Sequence, residues 1–80
     1  MTWHVHITEH AYNLLLGLTP DTRSAVFALF RSLEDDPCAV AQPVGIPDGV
    51  NYEAVFSHGI VSLIVNKEAG RITPIAITAI

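Results

Sequence analysis

The spacing of apolar residues changes twice along the chain, and these changes constrain the fold more than any other feature. Trp3, Val5 and Ile7 alternate with polar residues, which is the period of a half-buried strand. Apolar side chains then recur at helical spacing as far as residue 35, and strand-like runs return from residue 51. The order strand, helix, helix and three strands predicts an α+β domain with one mainly antiparallel sheet and both helices on one face.

The helix boundaries are predicted from capping residues. Thr8 can cap the first helix, and Gly17 is expected to end it in the left-handed conformation. Pro20, preceded by a threonine that can act as the cap, begins the second helix, which should run to about Asp35 and close at Pro37. The predicted buried positions of the two helices are Ala11, Leu14, Leu15, Leu18, Val26, Leu29, Phe30 and Leu33.

The second half of the chain is predicted to contain a long loop and three strands. Residues 37–50 hold three of the five prolines and are expected to form the loop. Strands follow at about 51–57, 60–66 and 71–79, and the second of these is apolar on both faces, so it should be central. Pro74 cannot donate to a strand ladder, which predicts that the last strand lies at an edge or carries a bulge.

Length and charge limit the classes of function. Eighty residues make one domain, residues 1–80, and the longest apolar run is shorter than the roughly 20 residues of a membrane span. Eight acidic residues against four basic ones give a net charge of −4, which counts against direct binding to nucleic acid. With one cysteine, Cys38, and no leader-like segment, a cytoplasmic protein is expected.

Four residues could contribute acid–base or phosphate chemistry. His4 and His6 are predicted to share one face of the first strand, about 6.5–7 Å apart. His58 lies in a predicted turn, and Arg71 begins the last strand. A metal site would need a third ligand such as His10 and an oriented second shell, and solvated polar side chains are the simpler interpretation, so no metal and no cofactor are predicted.

Apolar surface outside the predicted core suggests a protein partner. Tyr12 and Leu16 form an i, i+4 pair off the buried side of the first helix, and the alternative is that they pack under the 37–50 loop. Ile75 and Ile77 add apolar surface to a sheet that two helices can cover on one side only. Glu53 could pair with Arg71 across the hairpins or meet a partner's cation. A protein partner or self-association is therefore expected.

Short motifs along nearly the whole chain carry a resemblance to a known family. They are Trp3, Val5, Ile7 and Thr8; Ala11, Leu15 and Leu18; Arg23, Val26 and Leu33; Asp36-Pro37; Pro43-Val44-Gly45; Asp48-Gly49; and Tyr52-Glu53. In these residues the chain resembles the RelE/ParE superfamily of type II toxin–antitoxin toxins. The resemblance implies the order β-α-α-β-β-β and an antitoxin as partner.

The resemblance also indicates what this chain lacks. Family members that cut mRNA on the ribosome are similar in a set of basic and aromatic residues on the open sheet face, because phosphodiester cleavage needs a base, a cation and an acid. Val55 and Ile60 stand where the resemblance implies arginines. It therefore favours a toxin-fold protein that acts by binding protein, either as a ParE-like inhibitor of gyrase or as a member that has lost catalysis. Two alternatives remain: an mRNA endoribonuclease with an atypical site, and a small interaction module unrelated to toxicity.

Overall fold

The computed structural model describes residues 2–45 and 48–80, and Pro47, which the sequence placed in the long loop, lies outside this range. The elements in chain order are β1 (His4–Val5), α1 (Glu9–Leu16), α2 (Pro20–Asp35), α3 (Pro37–Val40), β2 (Ala41–Pro43), β3 (Asn51–Phe56), β4 (Gly59–Asn66) and β5 (Arg71–Ala79). The α+β prediction is confirmed. Within the described residues the structure adds one short helix and one short strand to the predicted order.

The five strands form one mixed sheet in the order β1-β5-β4-β3-β2. The strands β2 to β5 pair in an antiparallel manner, whereas β1 runs parallel to β5, with His4 opposite Arg71 and Val5 opposite Ile72. The prediction that Ile60–Val65 forms the central strand is confirmed. Its buried positions alternate strictly, with Val61, Leu63 and Val65 on the helix side.

The helices begin where the capping residues predicted. The Thr8 hydroxyl accepts a hydrogen bond from the Ala11 N–H at 3.1 Å, and the Thr19 hydroxyl accepts one from the Thr22 N–H at 3.3 Å. The prediction of a left-handed Gly17 is wrong, since this residue keeps right-handed helical angles and donates to the Leu14 carbonyl. The chain leaves α1 through a tightened last turn, and a left-handed residue is not needed there.

The prediction of an unstructured loop over residues 37–50 is wrong for its first half. Pro37 takes the first position of α3, where its fixed φ suits a helix and its missing N–H costs nothing. The next residues form β2, which pairs with β3 through Ala41 and Ala54 at its inner position. Pro43 ends this strand at the sheet edge, where a missing ladder donor is tolerated.

The last strand is not at the edge of the sheet. It lies between β1 and β4, because the parallel β1 covers its first residues. The alternative prediction of a bulge is confirmed: Ser62 faces Ala76 while Leu63 faces Pro74, so Ile75 is the extra residue. Beyond the bulge, Thr78 approaches Gly59 so closely that a Cβ at Gly59 would overlap its carbonyl oxygen.

The core lies between the sheet and the helices. Val5, Leu15, Val26, Leu33 and Ile72 are buried there, and Trp3 packs against their edge half-buried. The predicted register of the first strand is thereby confirmed at Trp3 and Val5, while Ile7 is exposed because β1 ends before it. Among the described residues no helix is long and apolar enough to cross a membrane.

Arg23 joins the two long helices. From the first turns of α2 its guanidinium donates to the carbonyls of Leu15 and Leu18 at 3.0 Å and of Leu16 at 3.4 Å. These carbonyls lie in and just after the last turn of α1, which has no basic residue of its own. Arg23 therefore supplies both the hydrogen bonds and the positive charge that this helix end lacks.

We expect Arg23→Met to lower the free energy of unfolding by about 1.5 kcal/mol, because two or three carbonyls lose a charged donor while the aliphatic stem is kept. The measurement is the denaturant midpoint of the purified chain. Arg31→Met is the matched control, since Arg31 is exposed on the same helix, and it should change stability by less than about 0.5 kcal/mol. Equal losses in both variants would show that the clamp on α1 is not what Arg23 contributes.

Candidate functional site

The helices leave one side of the sheet uncovered, and we call this side the open face. The strand registers place on it Asn51, Glu53 and Val55 of β3, Ile60, Ser62, Ile64 and Asn66 of β4, Arg71, Thr73, Ala76 and Thr78 of β5, and His4 of β1. Side chains on one face of neighbouring strands lie within contact distance of one another. The open face therefore presents a continuous surface on which the apolar residues Val55, Ile60, Ile64 and Ala76 lie among polar ones.

Val55 and Ile60 stand directly opposite each other on β3 and β4 at this face. Val55 is 60% exposed, the highest value for a large apolar side chain within the strands. Ile64 on β4 and Ile75 in the bulge are also exposed, at 37% and 38%. The two positions where the resemblance implied arginines are thus cross-strand partners, and here they form an apolar pair.

Three of the predicted acid–base residues meet at one corner of the open face. His4 is the direct strand partner of Arg71, and His6 lies two residues further along with its backbone N–H donating to Ile72 O at 2.8 Å. Glu34 reaches this corner from α2, with Oε2 at 3.4 Å from His4 Nδ1 and at 2.9 Å from the Val5 backbone nitrogen, whose N–H it accepts. From the sequence, Glu34 was expected to be part of a solvated acidic helix end, and its contact with β1 was not predicted because it depends on how α2 crosses β1.

His58 lies far from that corner. It precedes Gly59 at the start of β4, whereas Arg71 pairs with Asn66 at the other end, a separation of about 23 Å along the strand. The Ser57 hydroxyl is 2.7 Å from His58 Nδ1, and the imidazole stacks on the Phe56 ring. The structure therefore does not bring the four predicted catalytic candidates into one site.

Glu53 and Arg71 do not form the predicted pair. Glu53 faces Ser62 and Gln42, and Arg71 lies two strands away and four residues along β4. Ile77 is also placed differently from the prediction, because it faces Val61 and packs against the core. Ile75 keeps its predicted exposure, since the bulge turns it out of the ladder.

Tyr12 and Leu16 form a separate apolar patch on α1. Both are 56% exposed, so the alternative that they pack under the 37–50 segment is wrong. Their i, i+4 spacing puts them side by side on the outer surface of the helix. This patch is on the helix side of the sheet and is not continuous with the open face.

A structured turn borders the open face between β2 and β3. The Asp48 carboxylate accepts hydrogen bonds from the Val50 N–H at 2.8 Å, the Asn51 N–H at 3.0 Å and the Asn51 side-chain amide at 2.8 Å. These donors, led by the Asn51 backbone, hold the pKa of the Asp48 carboxyl below its ordinary value of 3.8. The turn forms one wall of a depression of about 430 Å³ that reaches Ser62 and Ile75.

Among residues 2–45 and 48–80, no group of three or more His, Cys, Asp or Glu side chains is arranged to hold a metal ion. His10 lies in the first turn of α1, whereas His4 and His6 lie at the β1 edge. What the described geometry supplies for binding is apolar surface flanked by isolated charges.

Comparison with solved structures identifies the fold. A chain of the crystal structure of the toxin–antitoxin complex RelBE2 from Mycobacterium tuberculosis matches with a TM-score of 0.88 and 17% sequence identity, and the match covers 100% of both chains. The fold is RelE/ParE-like. No family model matches the sequence, and no curated protein matches it. In this fold the apolar Val55–Ile60 pair lies on the open face beside the β3–β4 turn.

We expect the stability difference between the natural chain and Asp48→Asn to depend on pH. Because the pKa of Asp48 is lowered in the folded state, the stabilisation is complete above 3.8 and is lost as pH falls through the lower folded-state value. Asparagine keeps a carbonyl acceptor without the charge. Urea midpoints measured across a pH series should differ most near neutrality and converge in acid, and a constant difference would contradict the role of the ionised carboxylate.

Proposed function

We propose that this chain is the toxin-fold component of a type II toxin–antitoxin module in the cytoplasm, and that it acts by binding protein rather than by cutting RNA. The observation that carries the proposal is the exposed apolar Val55–Ile60 pair on the open face, beside the β3–β4 turn. A RelE/ParE-like fold with a cationic pair at this position would attract phosphate, whereas an aliphatic pair favours the apolar core of a protein interface.

The charges around this pair support the same assignment. Glu53 lies next to it on β3 and would repel a phosphate backbone, and Arg71 is at the far corner. The chain as a whole carries a net charge of −4, so long-range attraction to nucleic acid is also weak. A ParE-like inhibitor or a member that has lost catalysis satisfies these constraints.

An antitoxin is the partner proposed first. The similar chain comes from a toxin–antitoxin complex, and this protein exposes two separate apolar patches, one at Tyr12 and Leu16 and one on the open face. A partner that covered either patch would remove from water the surface that a monomer leaves exposed. The proposed module therefore has one surface available for an antitoxin and another for a target such as gyrase.

One observation favours the second candidate function, an mRNA endoribonuclease with an atypical site. Glu34 lies 3.4 Å from His4 Nδ1, which would orient the imidazole, and Arg71 is the adjacent strand partner of His4. A carboxylate, a histidine and an arginine are groups that phosphodiester cleavage uses. The corner holds His6 as a second histidine, whereas His58 is about 23 Å away and takes no part in such a site.

We expect induced expression in bacteria to arrest growth without cleavage of mRNA in a translating extract. Val55→Asp should abolish the arrest, because a carboxylate buried in an apolar interface costs several kcal/mol of binding free energy. Ser24→Asp is the matched control, since it adds the same charge to an exposed position on α2 and should leave the arrest intact. Growth curves and mapping of mRNA ends are the measurements.

Two results would contradict the proposal. Codon-specific cuts that disappear in His4→Ala and Arg71→Ala would assign the second candidate function instead. Absence of any growth effect, with the natural chain shown to be folded and expressed, would favour an interaction module outside toxicity.

A further inference from the structure

A cavity on the helix side of the sheet belongs to neither of the surfaces described above. Its volume is about 310 Å³. It opens near the end of α2, between Trp3 before β1, the short helix α3 and the turn that joins β4 to β5. The apolar part of its wall is formed by Trp3, Ala41, Tyr52 and Val65. Cys38 and Lys67 also line the cavity. This size is at the lower end of the range for small-molecule sites.

The lining is mostly apolar and includes one basic residue. Two half-buried aromatic rings, Trp3 and Tyr52, and the buried Val65 make most of the wall apolar. Lys67, in the turn after β4, is the one charged residue that lines the cavity within the described part of the chain. An apolar chamber with one lysine in its lining is complementary to a molecule with an apolar body and one acidic group.

We propose that this cavity binds one small amphipathic acid, with its apolar body against Trp3 and Tyr52 and its acidic group at the Lys67 ammonium. Four stretches of the chain line the site, at Trp3, at 37–41, at Tyr52 and at 65–67, which suits a compact free acid better than an extended peptide. The site is on the opposite side of the sheet from the Val55–Ile60 pair, so its occupation does not depend on the proposed function.

Glu68 is the acidic neighbour of Lys67 in the chain. It follows Lys67 in the turn, and both line a separate depression outside the cavity. Its negative charge lies one residue from Lys67 and repels an incoming acid. Removing that charge without changing the shape of the residue therefore tightens binding, whereas removing the ammonium weakens it.

The chain carries two built-in reporters at this site. Trp3 is its single tryptophan and Cys38 its single cysteine, and both line the cavity. Titration with octanoate is expected to produce a saturable shift of Trp3 emission and to slow alkylation of Cys38 by iodoacetamide with the same midpoint. Octanol, which has the same apolar chain without the charge, should bind more weakly.

Charge variants test whether the ammonium of Lys67 determines the affinity for octanoate. Lys67→Met should weaken octanoate binding about tenfold and leave octanol binding unchanged, since one charge-assisted contact is lost. Glu68→Gln should strengthen octanoate binding, and Arg31→Met, which removes an exposed cation elsewhere, should have no effect.

Three results would overturn the proposal. The first is octanoate at millimolar concentration changing neither the Trp3 nor the Cys38 signal. The second is equal octanoate affinity in Lys67→Met and in the natural chain. The third is a capped Leu-Asp peptide that competes as well as octanoate, which would assign the cavity to a partner's side chain instead of a free acid. Growth arrest is not used as a readout, so failure here leaves the proposed function untouched.

Discussion

The contact between Arg23 and the end of α1 holds the two helices together on one side of the sheet. The carbonyls of Leu15, Leu16 and Leu18 accept hydrogen bonds from Arg23 in the first turns of α2, and this ties the two helices into one hairpin. The hairpin can then present Leu15, Val26 and Leu33 together to the sheet. Because no third long helix is present among the described residues, the opposite face stays exposed and available to a partner.

The parts of the fold that local chemistry controls could be predicted from the sequence. Thr8 and Thr19 act as caps, and the central position of β4 follows from its two apolar faces. The short strand β2 could not be predicted, because a three-residue segment ending in Pro43 is a strand only through its pairing with β3. The position of β5 inside the sheet depends in the same way on a two-residue partner from the other end of the chain.

The candidate site was predicted in composition but not in arrangement. The substitution of apolar residues for arginines was visible at Val55 and Ile60, whereas their direct opposition depends on the β3–β4 register. The four acid–base candidates were identified by residue type. In the structure His58 lies about 23 Å along β4 from the corner that holds the other three. Residue type alone carries no information on that distance. Glu34 and the cavity at Trp3 arise from helix placement, for which the sequence offered no local signal.

The carboxylate of Glu34 protects the β1 edge of the sheet against pairing with another chain. The outward N–H of β1 is the group through which this edge of the sheet would recruit another extended chain, and Glu34 accepts its hydrogen bond at 2.9 Å. The negative charge of Glu34 at this edge also makes approach by a second edge unfavourable. A residue of α2 thus occupies the outward N–H of β1, and addition of further strands at this edge is disfavoured.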